Sequence, residues 1–90
     1  MKVEFNTDKR DLTLAERGLD FRDAPLVIEN AVDTISDTRF DYPEERLLTF
    51  GRLRERLVVV VWTPTEIGIR VISMRKANNR EQRRYRIRMD

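Results

Sequence analysis

Apolar positions along the chain change period several times, and each change marks an element. Val3 and Phe5 alternate with Glu4, as in a short first strand. A helix is expected to begin after Thr7 or Asp8, whose side chains can cap free N–H groups. Leu12, Ala15 and Leu19 then recur at spacings of three and four, and Gly18 is a natural stop because it tolerates positive φ. A second helix is expected over 21–30, capped by Asp20, with Phe21, Ala24, Val27 and Ile28 on one face. Pro25 requires it to kink or to start a turn later. Residues 34–42 mix Ile35 and Phe40 with charges, as an exposed or edge strand does.

Three segments then form a meander joined by tight turns: 46–52, 57–62 and 67–74. The middle one, Leu57 to Trp62, is β-branched and almost wholly apolar, so it is expected at the centre of the sheet with both faces covered. In the last, Ile69 and Val71 alternate with Arg70, Ile72 and Met74. A final helix begins at Asn78, with Glu81 three residues on, as in a capping box. Only Tyr85, Ile87 and Met89 are apolar within it, so loose docking is expected. The order is β-α-α-β-β-β-α, an α+β fold with an antiparallel sheet and helices packed against it. Ninety residues make one domain, 1–90.

Composition narrows the chemistry. The chain has no Cys and no His. That excludes disulfides, thiol nucleophiles, Cys/His zinc sites and imidazole bases, leaving Asp, Glu, Lys, Arg and Tyr. The longest apolar run is too short to cross a bilayer, and the N-terminus turns polar at once, so a cytoplasmic location without membrane contact is expected. Net charge is only +2, but residues 1–45 hold 6 Lys/Arg against 12 Asp/Glu, while residues 70–90 hold 8 against 2. A basic C-terminal part fits a polyanion or an acidic partner, and equally a merely solvated helix.

Several constellations are candidates. Glu44 and Glu45 beside Arg46 can form a base next to a cation, or a solvated turn. Arg70, projecting from a half-buried sheet face, needs a carboxylate (Glu45 or Asp41) or a phosphate. Arg75, Lys76, Arg80, Arg83, Arg84 and Tyr85 can clamp phosphates and stack a base. Asp33, Asp37 and Asp41 recur every fourth residue, but in a strand or loop without Gly-shaped ion-loop geometry; no metal site and no cofactor is expected.

Together these pieces resemble the BrnT family of bacterial toxins, within the wider RelE-like ribonuclease fold. The strongest match is Ile69-Arg70-Val71-Ile72-Ser73-Met74-Arg75-Lys76-Ala77, then Asn79-Arg80-Glu81 and Arg84-Tyr85. Family members typically read I-R-I-I-S-A-R-K-A before a charged helix. Glu44-Glu45-Arg46, Gly51, Val59 to Thr63, Phe5, Asp8, Leu14-Ala15, Gly18, Phe21 and Ala24 also fit, so the likeness spans nearly the whole chain. The family usually has Lys-His-Gly in the first helix, where this chain has Glu16-Arg17-Gly18.

The resemblance implies a toxin of a type II toxin–antitoxin pair that cleaves RNA without a metal and inhibits translation. It also implies neutralisation by a BrnA-like ribbon-helix-helix antitoxin in a 2:2 heterotetramer, with DNA met only through the antitoxin. On residue type, Arg70 and Arg75 would stabilise the charged phosphorane, Glu45 would be the base, and Lys76 or Tyr85 the acid. Lys9, Arg17, Arg46, Arg80 and Arg84 would hold flanking RNA. The alternative is a catalytically impaired module that binds RNA or antitoxin without turnover, since Arg17 stands where the family has His.

Overall fold

The computed structural model describes residues 1–89, with side chains through Arg86. In chain order the elements are β1 (Lys2–Glu4), α1 (Thr7–Arg17), a 3-10 turn (Phe21–Asp23), α2 (Ala24–Glu29), β2 (Ala31–Ser36), β3 (Leu47–Leu53), β4 (Arg56–Pro64), β5 (Gly68–Lys76) and α3 (Asn79–Met89). The strands form one sheet in the order β1-β5-β4-β3-β2. Strands β2 to β5 are antiparallel to their neighbours, whereas β1 lies parallel to β5.

The α+β class and the meander agree with the sequence reading, with two corrections. The sheet is mixed, because β1 returns beside the last strand. It also has five strands, one more than the expected order counts. The one missing from that order is β2, the edge strand expected over 34–42, which instead starts at Ala31 and ends at Ser36, leaving 37–46 as a loop.

Local signals explain the helix boundaries. Asn6, one residue ahead of the expected caps, accepts from the Lys9 N–H at 3.0 Å through Oδ1 and starts α1. Gly18, at φ 70°, ends it by donating its N–H to the Leu14 carbonyl. Asp20 caps the 3-10 turn, and Pro25 falls in the first turn of α2, where its missing N–H costs nothing. Asn78 and Glu81 close a reciprocal capping box on α3, at 2.9 and 2.8 Å.

The sheet is covered on both faces. On one, Leu19, Phe21, Ala24 and Val27 pack on Val58, Val60, Met74, Ile69 and Val71. A Cβ on Gly51 would collide with the Val27 carbonyl, so only glycine lets α2 sit this close to β3. On the other face, Tyr85 and Ala77 pack on Phe50, Leu57 and Val59. Central β4 serves both cores, and Val58, Val59 and Val60 are all 0% exposed.

Helix α3 lies across the second face along one cross-strand row, Arg75, Val59, Phe50 and Asp33. At one end Arg75 grips Glu81. At the other, Tyr85 stacks on Phe50 with centroids 4.8 Å apart and donates to Asp33 Oδ2 at 2.9 Å. So α3 is anchored rather than loosely docked, with a cleft on its β3–β4 hairpin side. The side chains of Ile87 and Met89 lie outside the described residues. Among the described residues no helix is long and apolar enough to cross a membrane.

Candidate functional site

The site is organised by an irregularity in β5. Regular alternation would put Arg70 and Arg75, five residues apart, on opposite faces. Instead Val71 pairs with Trp62 and Ser73 pairs with Val61, so Ile72 is an extra residue, a β-bulge. Arg70 opposes Thr63 and Arg75 opposes Val59, which are four apart on β4 and share a face. The bulge therefore turns both guanidinium groups to the α3 side and returns Met74 to the opposite core. The expected pairing of Met74 with Arg70 on one face is corrected accordingly.

Helix α1 adds two more cations to the same strand. None of its residues is buried, and polar contacts hold it in place. Lys9 Nζ donates to the Ile72 carbonyl at 2.8 Å, and Arg17 Nη1 donates to the Met74 carbonyl at 2.8 Å. These carbonyls belong to the stretch of β5 that runs past the end of β1, whose pairing stops at Arg70. Arg10 clamps Asp20 with two hydrogen bonds of 3.0 and 2.9 Å, tying α1 to the 3-10 turn. A cleft of about 200 Å³ between α1 and β5 is lined by Lys9, Thr13, Glu16, Arg17 and Ser73, with Leu12 and Phe21.

The predicted residues divide into groups. Arg70 is exposed and has no ion pair among the described residues, so neither Glu45 nor Asp41 neutralises it. Arg75 is half-buried and already engaged by Glu81 at 2.7 and 2.9 Å. Its hydrogen bonds to the Glu81 carboxylate raise its pKa against the cost of burial, while the charge of Arg39 acts in the opposite sense. Tyr85 is 2% exposed, with its hydroxyl on Asp33. That makes it a core anchor instead of an open proton donor. Lys76 lines a different cleft, beyond α3. Arg80 and Arg84 stay exposed on α3, with Arg84 5.6 Å from the Tyr85 ring.

The β2–β3 loop carries the remaining candidates around a cleft of about 530 Å³. Glu44 and Glu45 are exposed there. Arg46 stacks over Tyr42 at 4.0 Å, and its buried Nε has no hydrogen-bond partner among the described residues. Asp37 has a fully covered side chain and takes two hydrogen bonds of 2.8 Å from Arg39. These bonds hold its carboxyl well below the usual range, at about 2. Asp33, Asp37 and Asp41 do not converge, and among the described residues no group of three or more acids could hold a metal ion.

Sequence reasoning missed Glu16, Thr13, Ser73 and Arg39. Glu16 and Thr13 lacked any signal without the docking of α1. Ser73 stood in the pattern as an ordinary strand position, and Arg39 as one charge among several.

Fold and surface together place the chain among small α+β proteins with one guanidinium-rich strand. Within that class it belongs to the BrnT family, described as ribonuclease toxin, BrnT, of type II toxin-antitoxin system, whose profile matches residues 5–81. No curated protein matches the chain.

Proposed function

We propose that this chain cleaves RNA without a metal ion, as the toxin of a pair neutralised by a BrnA-like ribbon-helix-helix antitoxin. One observation carries the reading: Arg70 projects from β5 with no ion pair among the described residues, and Lys9 and Arg17 are fixed on carbonyls of the same strand. Such preset cations suit a phosphate whose charge grows in the transition state, because no reorganisation is needed when it does.

In the proposed reaction the ribose 2′-oxygen attacks the adjacent phosphorus and the 5′-oxygen leaves. The products are a 2′,3′-cyclic phosphate and a free 5′-hydroxyl. Arg70 stabilises the phosphorane oxygens. Glu45, exposed on the β2–β3 loop, is assigned the 2′-proton. Lys9 supplies the proton to the leaving oxygen, having an ammonium beside Ile72. The role of Arg75 is to hold Glu81 and the first turn of α3 beside the strand. Arg17, Arg46, Arg80 and Arg84 contact flanking RNA. Cleavage of cytoplasmic RNA would stop translation, and the RelE-like fold and 2:2 assembly implied by the resemblance complete the proposal.

Arg70→Ala should lower cleavage by roughly 10²–10³ in excess chelator, with an unchanged circular dichroism spectrum because Arg70 is exposed. Wild-type cleavage by this variant would eliminate the assignment. A second reading, binding without turnover, is favoured by Arg17, which occupies the family's usual His position and spends one donor on the Met74 carbonyl. It requires RNA that is retarded but intact with the native chain.

A further inference from the structure

A cleft of about 430 Å³ on the β3–β4 hairpin side of α3 is lined by Arg52, Glu55, Arg56, Leu57, Lys76, Gln82 and Arg86. Four of these seven residues are cations and one is an acid. None of the described ion pairs involves Arg56, Lys76 or Arg86. We propose that this cleft is a second phosphodiester-binding site, which holds the RNA backbone away from the scissile bond. It rests on the RNA reading above and extends it beyond β5.

Three elements build the cleft. Arg52 opposes Leu57 across the β3–β4 pair, and Leu57 belongs to the core beneath α3, so Arg52 faces the same side as Arg70. Gln82 and Arg86 are four residues apart on one flank of α3, while Glu81, bound to Arg75, lies towards the other flank. Gln82 Nε2 donates to the Ala77 carbonyl at 2.9 Å, which fixes the wall of the cleft. From Thr63, opposite Arg70, to Leu57 is six strand residues, or about 20 Å at ~3.3 Å each. A single-stranded segment of a few nucleotides can cross α3 over that distance, where Arg80 and Arg83 are exposed.

The lining chooses the ligand. Leu57 is its sole wholly apolar side chain and is 8% exposed. A folded partner segment gains most from a buried apolar or aromatic anchor, and this lining offers such an anchor only Leu57 to pack on. A thin chain of regular negative charge needs only forks of N–H donors, which guanidinium groups provide.

The test is the double variant Arg56→Ala/Arg86→Ala, both exposed positions outside the proposed chemistry. The probe is a single-stranded RNA with methylated 2′-oxygens, so binding is measured without turnover. Removing two phosphate contacts should lower the slope of log K against log salt by about 1.4 in magnitude. Single-turnover cleavage of ordinary RNA at saturation should stay at the native rate. An unchanged salt slope overturns the proposal, as does a variant that loses only affinity for the antitoxin. If Arg70→Ala still cleaves while the double variant loses its slope, the catalytic assignment fails and this site stands.

Discussion

Single side chains show how much one bond decides in a thin core. The Tyr85 hydroxyl serves Asp33 while its ring covers Phe50. Tyr85→Phe keeps the ring and removes the donor, so thermal denaturation should show a loss of about 1 kcal/mol. An unchanged melting curve would mean that the bond is replaced by water at no cost. Sequence alone marked Tyr85 as a base-stacking aromatic or a proton donor, not as an anchor on Asp33, because its partner lies 52 residues away. Arg70 was legible from alternation, since its flanking apolar residues demanded a buried face. The side taken by Arg75 was not, because a bulge leaves no mark in a run of β-branched and charged residues. It follows from how β4 and β5 pair, not from β5 itself.

Elements were more readable than residues wherever their signals are local. The Asn78–Glu81 capping box and the Gly18 stop act within one turn, and both lie where spacing placed them. Pro25 likewise delayed α2 by a turn. The Gly51 contact shows the limit. Nothing in the sequence says that the Val27 backbone rests on that glycine. Gly51→Ala should therefore destabilise the fold by about 1–3 kcal/mol through overpacking, measured by urea denaturation. A stability equal to the native chain would show that α2 can shift away freely. Helix α1 is the converse case. Of its recurring apolar positions only Leu19, just past the helix, is buried; Leu12 stays 58% exposed, and cation-to-carbonyl bonds fix the helix.

At the scale of the whole molecule, the mixed sheet was invisible beforehand because β1 pairs with a strand some 66 residues away, at Lys2 and Gly68. Acid sensitivity also belongs here. Hydrogen bonds from Arg10, Arg39 and Arg75 lower the pKa values of Asp20, Asp37 and Glu81 respectively, to about 2 for Asp37. Each carboxylate is more acidic folded than unfolded, so its stabilisation is complete above the unfolded value near ~4 and is lost as pH falls towards the folded value. The melting temperature should hold from neutrality to about pH 5 and fall steeply between about 4 and 2. A melting temperature unchanged down to the bottom of that window would contradict these pairings. Acids predominate in the first half of the chain and cations at its C-terminal end, and the proposed function places RNA on that cationic strand and helix. The most direct measurement is the chemistry of the ends left on RNA after incubation with the purified chain in excess chelator. Mass spectrometry should find 2′,3′-cyclic phosphates opposite 5′-hydroxyls, and intact RNA, or cleavage only after magnesium is restored, would contradict the account.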